Sequence, residues 1–148
     1  MNLLIVDDEY LVVEEVVTVT DWELLGITEI YSATNAVSAV RILNEKKIDI
    51  MICDIEMPQT DGLELSKKAK ENFPDLEIVM LTSHAEFNYV RNALRYGCYD
   101  YLLKPVMEDD IIKVMKNLVT KIERERHQAQ LQEEGIVWNQ LKPVWKEK

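Results

Sequence analysis

Five side chains in this sequence, Asp7, Asp8, Asp54, Thr82 and Lys104, have the types that phosphoryl chemistry uses. Three carboxylates brought together without a cation repel one another, so a hard divalent ion is their natural companion. Mg²⁺ suits such a set because it favours oxygen ligands, keeps several waters and often bridges protein carboxylates to a phosphate. A lysine beside that cluster supplies a point charge to phosphoryl oxygens, and a threonine hydroxyl supplies a hydrogen-bond donor. An aspartate in such surroundings can itself accept the phosphoryl group as an aspartyl-phosphate. Taken singly, each residue has a plainer reading. An Asp-Asp pair favours the dipole of a following helix, Thr82 could cap the next helix, and Lys104 could be a solvated charge. Their joint order along the chain is what carries the chemical reading.

The elements that must position these residues are legible in the hydropathy pattern. Each residue follows a short apolar run bounded by turn residues, the pattern of a buried strand. Asn2 to Val6 leads into Asp7-Asp8, and Ile48 to Cys53 leads into Asp54. Leu76 to Leu81 leads into Thr82, and Tyr99 to Leu103 leads into Lys104-Pro105. A further strand is expected over Thr28 to Ala33. Between the strands fall helices: Tyr10 to Thr20, Thr34 or Asn35 to about Lys46, Gly62 or Leu63 to Phe73, and Ala85 to Tyr96 with Gly97 as its left-handed terminator. Five βα repeats predict an α/β, doubly wound fold whose parallel sheet gathers the strand ends on one edge, where ligands bind in such folds. Asp21 to Gly26 is a connection in which Trp22 serves as a packing anchor. Cys53 and Cys98 have no metal-ligand spacing and are expected as small core residues.

The last helix starts near Glu108. Ile111, Met115, Leu118 and Ile122 keep a 4-3-4 spacing, and the register then runs on to Glu125 and Ala129, where the apolar seam fades. The expectation is a domain over residues 1–122 and a helical extension over 123–148. Gly135 is expected to end the helix, leaving an apolar tail with Trp138 and Trp145 that leads toward an absent output domain.

The net charge of -10 is concentrated in the first 120 residues, because residues 121–148 hold six Lys/Arg against five Asp/Glu. A surface this negative repels nucleic acid, so any DNA contact is expected through an output domain not present in this chain. No apolar run approaches a membrane span, and the N-terminus lacks a basic segment followed by a signal-type core. A cytoplasmic protein without membrane association is therefore expected.

The motifs Leu4-Ile5-Val6-Asp7-Asp8-Glu9, Cys53-Asp54-Ile55-Glu56-Met57-Pro58 with Asp61-Gly62, Leu81-Thr82-Ser83 and Asp100-Tyr101-Leu102-Leu103-Lys104-Pro105 resemble the receiver domain of two-component response regulators. Leu81 to Phe87, Tyr99 to Pro105 and Asp21-Trp22 narrow the likeness to receivers of YesN-type regulators, which carry an AraC-family DNA-binding output domain. The resemblance implies a flavodoxin-like sheet of order 2-1-3-4-5 and a cis Lys104–Pro105 bond. It implies that a sensor histidine kinase donates a phosphoryl group to Asp54. Asp7, Asp8, Asp54 and the backbone carbonyl of Glu56 would hold Mg²⁺, with Lys104 on the phosphoryl oxygens and Thr82 and Tyr101 as switch residues. The switched face would comprise the fourth helix, fifth strand and fifth helix, and phosphorylation would promote a homodimer. Such a domain catalyses its own phosphotransfer and turns over no separate substrate. A phosphatase of the haloacid-dehalogenase type, with Glu56 as its acid/base, is the enzymatic alternative, but it leaves the Asp7-Asp8 pair surplus and the chain short of a substrate cap. A pseudo-receiver that never takes phosphate is the other alternative.

Overall fold

Strands buried on both faces of a parallel sheet read as near-continuous apolar runs, and three segments do so between polar ends: β1 (Asn2–Val6), β3 (Ile50–Asp54) and β6 (Glu77–Thr82). The computed structural model describes residues 1–57, 60–83 and 87–146, with backbone alone at 60, 87, 89, 90 and 135–146. It divides into two compact units, Met1–Met115 and Lys116–Lys148.

The first unit is built on a five-stranded parallel sheet of order β2-β1-β3-β6-β7, with β2 at Glu29–Ala33 and β7 at Asp100–Leu103. Two additional strands, β4 (Glu56–Met57) and β5 (Thr60–Asp61), form a separate antiparallel ribbon. Counting only the five sheet strands, the order is the expected 2-1-3-4-5. The edge strands β2 and β7 are only partly buried, consistent with their more mixed composition.

The helices are α1 (Tyr10–Thr18), α2 (Ala36–Glu45), α3 (Gly62–Asn72), α4 (Phe87–Arg95) and α5 (Glu108–Lys146). One core cluster joins Leu4, Val6, Met51, Cys53, Ile78 and Met80 from the strands to Ala39, Leu43, Leu63, Ala69 and Ala93 from α2, α3 and α4. The intervening strand residues Leu3, Ile5, Ile50, Ile52, Val79 and Leu81 are equally buried, so neither sheet face is left open. Asn35 caps α2 by accepting the Ser38 N–H at 2.8 Å. Trp22 is buried, and its indole N–H donates to the Val16 carbonyl at 3.1 Å, so it is the anchor expected of it. Both cysteines are free and buried.

Two helix ends differ from the sequence expectations by two residues or more, those of α1 and α5. Helix α1 stops at Thr18, before the β-branched Val19 and Thr20. The expected start of α4 at Ala85 lies outside the described residues, and the helix is described from Phe87. Gly135 does not end α5, whose backbone stays helical to Lys146. A glycine costs a helix interior only about 1 kcal/mol, too little by itself to stop a helix that already runs unbroken from Glu108. Gly97 does take the left-handed conformation, at φ 89, after α4. In the second unit Leu118, Val119 and Ile122 are buried, and residues 123–134 are exposed. No helix of the described residues is long and apolar enough to cross a membrane.

Candidate functional site

Strand register puts the polar residues at one edge. Val6 pairs with Cys53, Asp54 with Leu81, and Thr82 with Leu103, so Asp7, Asp54, Thr82 and Lys104 all emerge where parallel strands end. Backbone bonds fix that edge: Asp7 N–H donates to Ala33 O at 3.1 Å, Ile55 N–H to Leu81 O at 2.9 Å, and Lys104 N–H to Thr82 O at 2.9 Å.

One oxygen each from Asp7, Asp8 and Asp54 fall within 4.8 Å of one another. Asp7 and Asp54 are buried, and Asp8 is exposed at the mouth. Lys104 Nζ lies 2.7 Å from Asp7 Oδ2 and 3.4 Å from Asp54 Oδ2. Their other oxygens are held by backbone: Asp7 Oδ1 accepts the Glu9 N–H at 2.9 Å, and Asp54 Oδ1 accepts the Glu56 N–H at 3.0 Å. Asp54 Oδ2 is thus the oxygen that faces the ammonium and keeps lone pairs for chemistry.

Burial chiefly raises the Asp54 pKa; the Glu56 N–H opposes it, Asp7 adds to it and Lys104 opposes it, leaving the carboxyl pushed up to about 6. Burial also works against the Lys104 ammonium, but its contacts with Asp7 and Asp54 prevail and hold its pKa above the ordinary lysine value. Three carboxylates against one ammonium leave an excess of negative charge. Asp7 Oδ2, although close to the ammonium, has no hydrogen bond of good geometry. A buried acceptor with spare lone pairs, inside a net-negative oxygen cluster, fits a hard divalent cation.

Residues 3–116 match the family model described as the response regulator receiver domain. The chain belongs to that family. This receiver is 34% identical over 124 residues to the uncharacterized transcriptional regulatory protein YesN of Bacillus subtilis (strain 168), across 84% of the receiver chain and 34% of YesN. It is 32% identical over 117 residues to the uncharacterized transcriptional regulatory protein YhcZ of the same strain, across 76% of the chain and 52% of YhcZ. The receiver chain therefore spans about a third to a half of the length of these curated relatives. Among solved structures it is similar to the REC domain of AraT, a response regulator from Geobacillus stearothermophilus, with 30% identity and a TM-score of 0.78 over 84% of this chain and 97% of that one. A two component transcriptional regulator AraC from Clostridium phytofermentans ISDg gives a TM-score of 0.78 at 23% identity over 85% of this chain and 98% of that one, a likeness of fold.

In this receiver Asp7, Asp8, Asp54 and Lys104 form one cluster. Thr82 is fully buried beside it, and its hydroxyl donates to Glu56 Oε1 at 3.4 Å. Tyr101 is farther back in β7, opposite Met80, half-buried against the core cluster that contains Cys53 and Met80. The Lys104–Pro105 bond is cis. His84 lies outside the described residues. Two residues gained importance that the sequence did not give them. One is the Glu56 side chain, which the receiver resemblance used only through its backbone carbonyl and the phosphatase alternative as an acid/base. The other is Gly62, where a Cβ would fall 1.9 Å from the Asp54 carbonyl oxygen. Only the Asp-Gly pair hinted at that close approach.

Proposed function

We propose that this receiver accepts a phosphoryl group on Asp54 from a phosphohistidine of a sensor histidine kinase and passes the change to an output, transcription in the whole regulator. The observation that carries this reading is Lys104 Nζ in contact with both Asp7 and Asp54, inside a cluster of three carboxylates at the sheet edge. In the transfer, Asp54 Oδ2 forms the new O–P bond as the P–N bond breaks, and the electron pair of that bond returns to the imidazole nitrogen. Lys104 holds the phosphoryl oxygens. Asp7, Asp8, Asp54 and the Glu56 backbone carbonyl would hold Mg²⁺, which when bound offsets charge on the transferring group. Thr82 donates its hydroxyl to the phosphoryl group, and Tyr101 follows the displacement. The face of α4, β7 and the start of α5 then changes, with homodimerisation as the consequence.

The functional receiver spans 1–122, and 123–148 forms a connector. DNA is reached only through an output domain, of AraC type by the likeness to YesN-type regulators. The net charge of -10 supports that division of labour, and the setting is the cytoplasm, where the kinase presents its phosphohistidine. As a signalling domain the protein turns over no separate substrate. Incubation with phosphoramidate, a small P–N donor, and separately with a phosphomonoester tests this. The expected result is one labelled Asp54 per chain from the first and no sustained phosphate release from the second. Continuous hydrolysis of the monoester would overturn the reading in favour of a phosphatase.

A further inference from the structure

The Thr82 hydroxyl has one proton, and in this structure that proton is directed at the Glu56 carboxylate, Oγ1 to Oε1 at 3.4 Å. A phosphoryl group on Asp54 is also purely an acceptor. One O–H cannot serve both. We infer that the Glu56 carboxylate competes with the phosphoryl group for the Thr82 proton, and so sets how readily this receiver enters its switched state. The inference rests on the receiver reading above and adds a positioning residue to it.

Glu56 is well placed for that role. Its backbone N–H already donates to Asp54 Oδ1 at 3.0 Å, so a single residue touches both the acceptor aspartate and the switch threonine. The β4–β5 ribbon holds it there: Glu56 pairs with Asp61, and Asp61 caps α3 by accepting the Leu63 N–H at 2.9 Å. Gly62 N–H donates to the Ile55 carbonyl at 3.2 Å and closes the same loop onto the end of β3. The Glu56 side chain reaches from the exposed loop to a threonine that is fully buried. For Thr82 to turn toward Asp54 it must leave this acceptor. The apparent affinity for a phosphoryl group is reduced by whatever fraction of the protein has Thr82 engaged with Glu56.

The test measures beryllofluoride affinity at Asp54 in the presence of Mg²⁺, in wild type, Glu56→Ala and Glu56→Gln, each with and without Thr82→Ala. Glutamine keeps an acceptor oxygen and removes the charge, so it separates competition for the proton from simple repulsion of an anion. The Ala and Gln variants differ by a neutral hydrogen bond, whose ordinary net worth sets the effect at about 3- to 10-fold. The expected result is that Glu56→Ala binds about 3- to 10-fold more tightly than Glu56→Gln, and that this difference disappears in the Thr82→Ala background. A difference that persists without the Thr82 hydroxyl, or no difference between the Ala and Gln variants, overturns the inference while leaving the receiver reading intact. Wild type that takes up neither beryllofluoride nor a phosphoryl group from a small donor or a histidine kinase brings down both. Thermal melts of each variant verify that the comparison is between folded proteins.

Discussion

At Asp54, the fold holds a carboxyl where ionisation is disfavoured. Burial is the main reason, the Asp7 carboxylate adds to it, and the pKa stands at about 6 instead of 3.8. A folded-state pKa above the unfolded one means that the native protein binds more protons between those two values. Stability contributed by Asp54 is therefore present below about pH 4 and lost as pH rises through about 6. Asp54→Asn removes that titration. In metal-free buffer it should melt above wild type at pH 7, with the gap closing as pH falls toward 4, as thermal unfolding across that range would measure. A gap independent of pH would contradict the assignment of the shift to Asp54. The Asp7, Asp8, Asp54, Thr82 and Lys104 set was legible in sequence because each is a polar residue breaking an apolar run. The Glu56 carboxylate was not, because an exposed glutamate in a turn looks the same in sequence whether its side chain meets solvent or a buried threonine.

At the scale of elements, two local devices have outsized consequences. Gly62 opens α3 so close to the end of β3 that no other side chain fits. Gly62→Ala must push either the helix or the Asp54 backbone aside, costing about 1–3 kcal/mol as an overpacked site does, read as a lowered urea midpoint. Asn35→Ala removes the cap of α2 and should cost about 1 kcal/mol by the same measurement. Asn35 contributes no oxygen to the carboxylate cluster, so its loss should reduce phosphorylation far less than Gly62→Ala, which should impair both stability and phosphorylation. The central strands were readable from composition, since β1, β3 and β6 are near-continuous apolar runs. The ribbon of β4 and β5 was not, being two residues a side and too short for any periodicity. Helix α5 overran its expected end because one glycine is a small penalty against a helix already running from Glu108.

Across the whole molecule, the sheet order makes one edge from the ends of four strands, and the carboxylate cluster follows from that topology. The fold was legible because five apolar runs alternate with helical segments, an arrangement with few solutions. The two compact units divide between Met115 and Lys116, within the apolar seam that runs on to Ile122. The proposed role of this edge is to capture a phosphoryl group on Asp54 with the help of a divalent ion. Intact mass after incubation with acetyl phosphate, with and without Mg²⁺, in wild type and Asp54→Asn, tests it most directly. The expected result is a gain of one phosphoryl group that requires Mg²⁺ and is absent from the variant. A folded wild type that gains none from acetyl phosphate or from a histidine kinase, or a gain that survives Asp54→Asn, would contradict it.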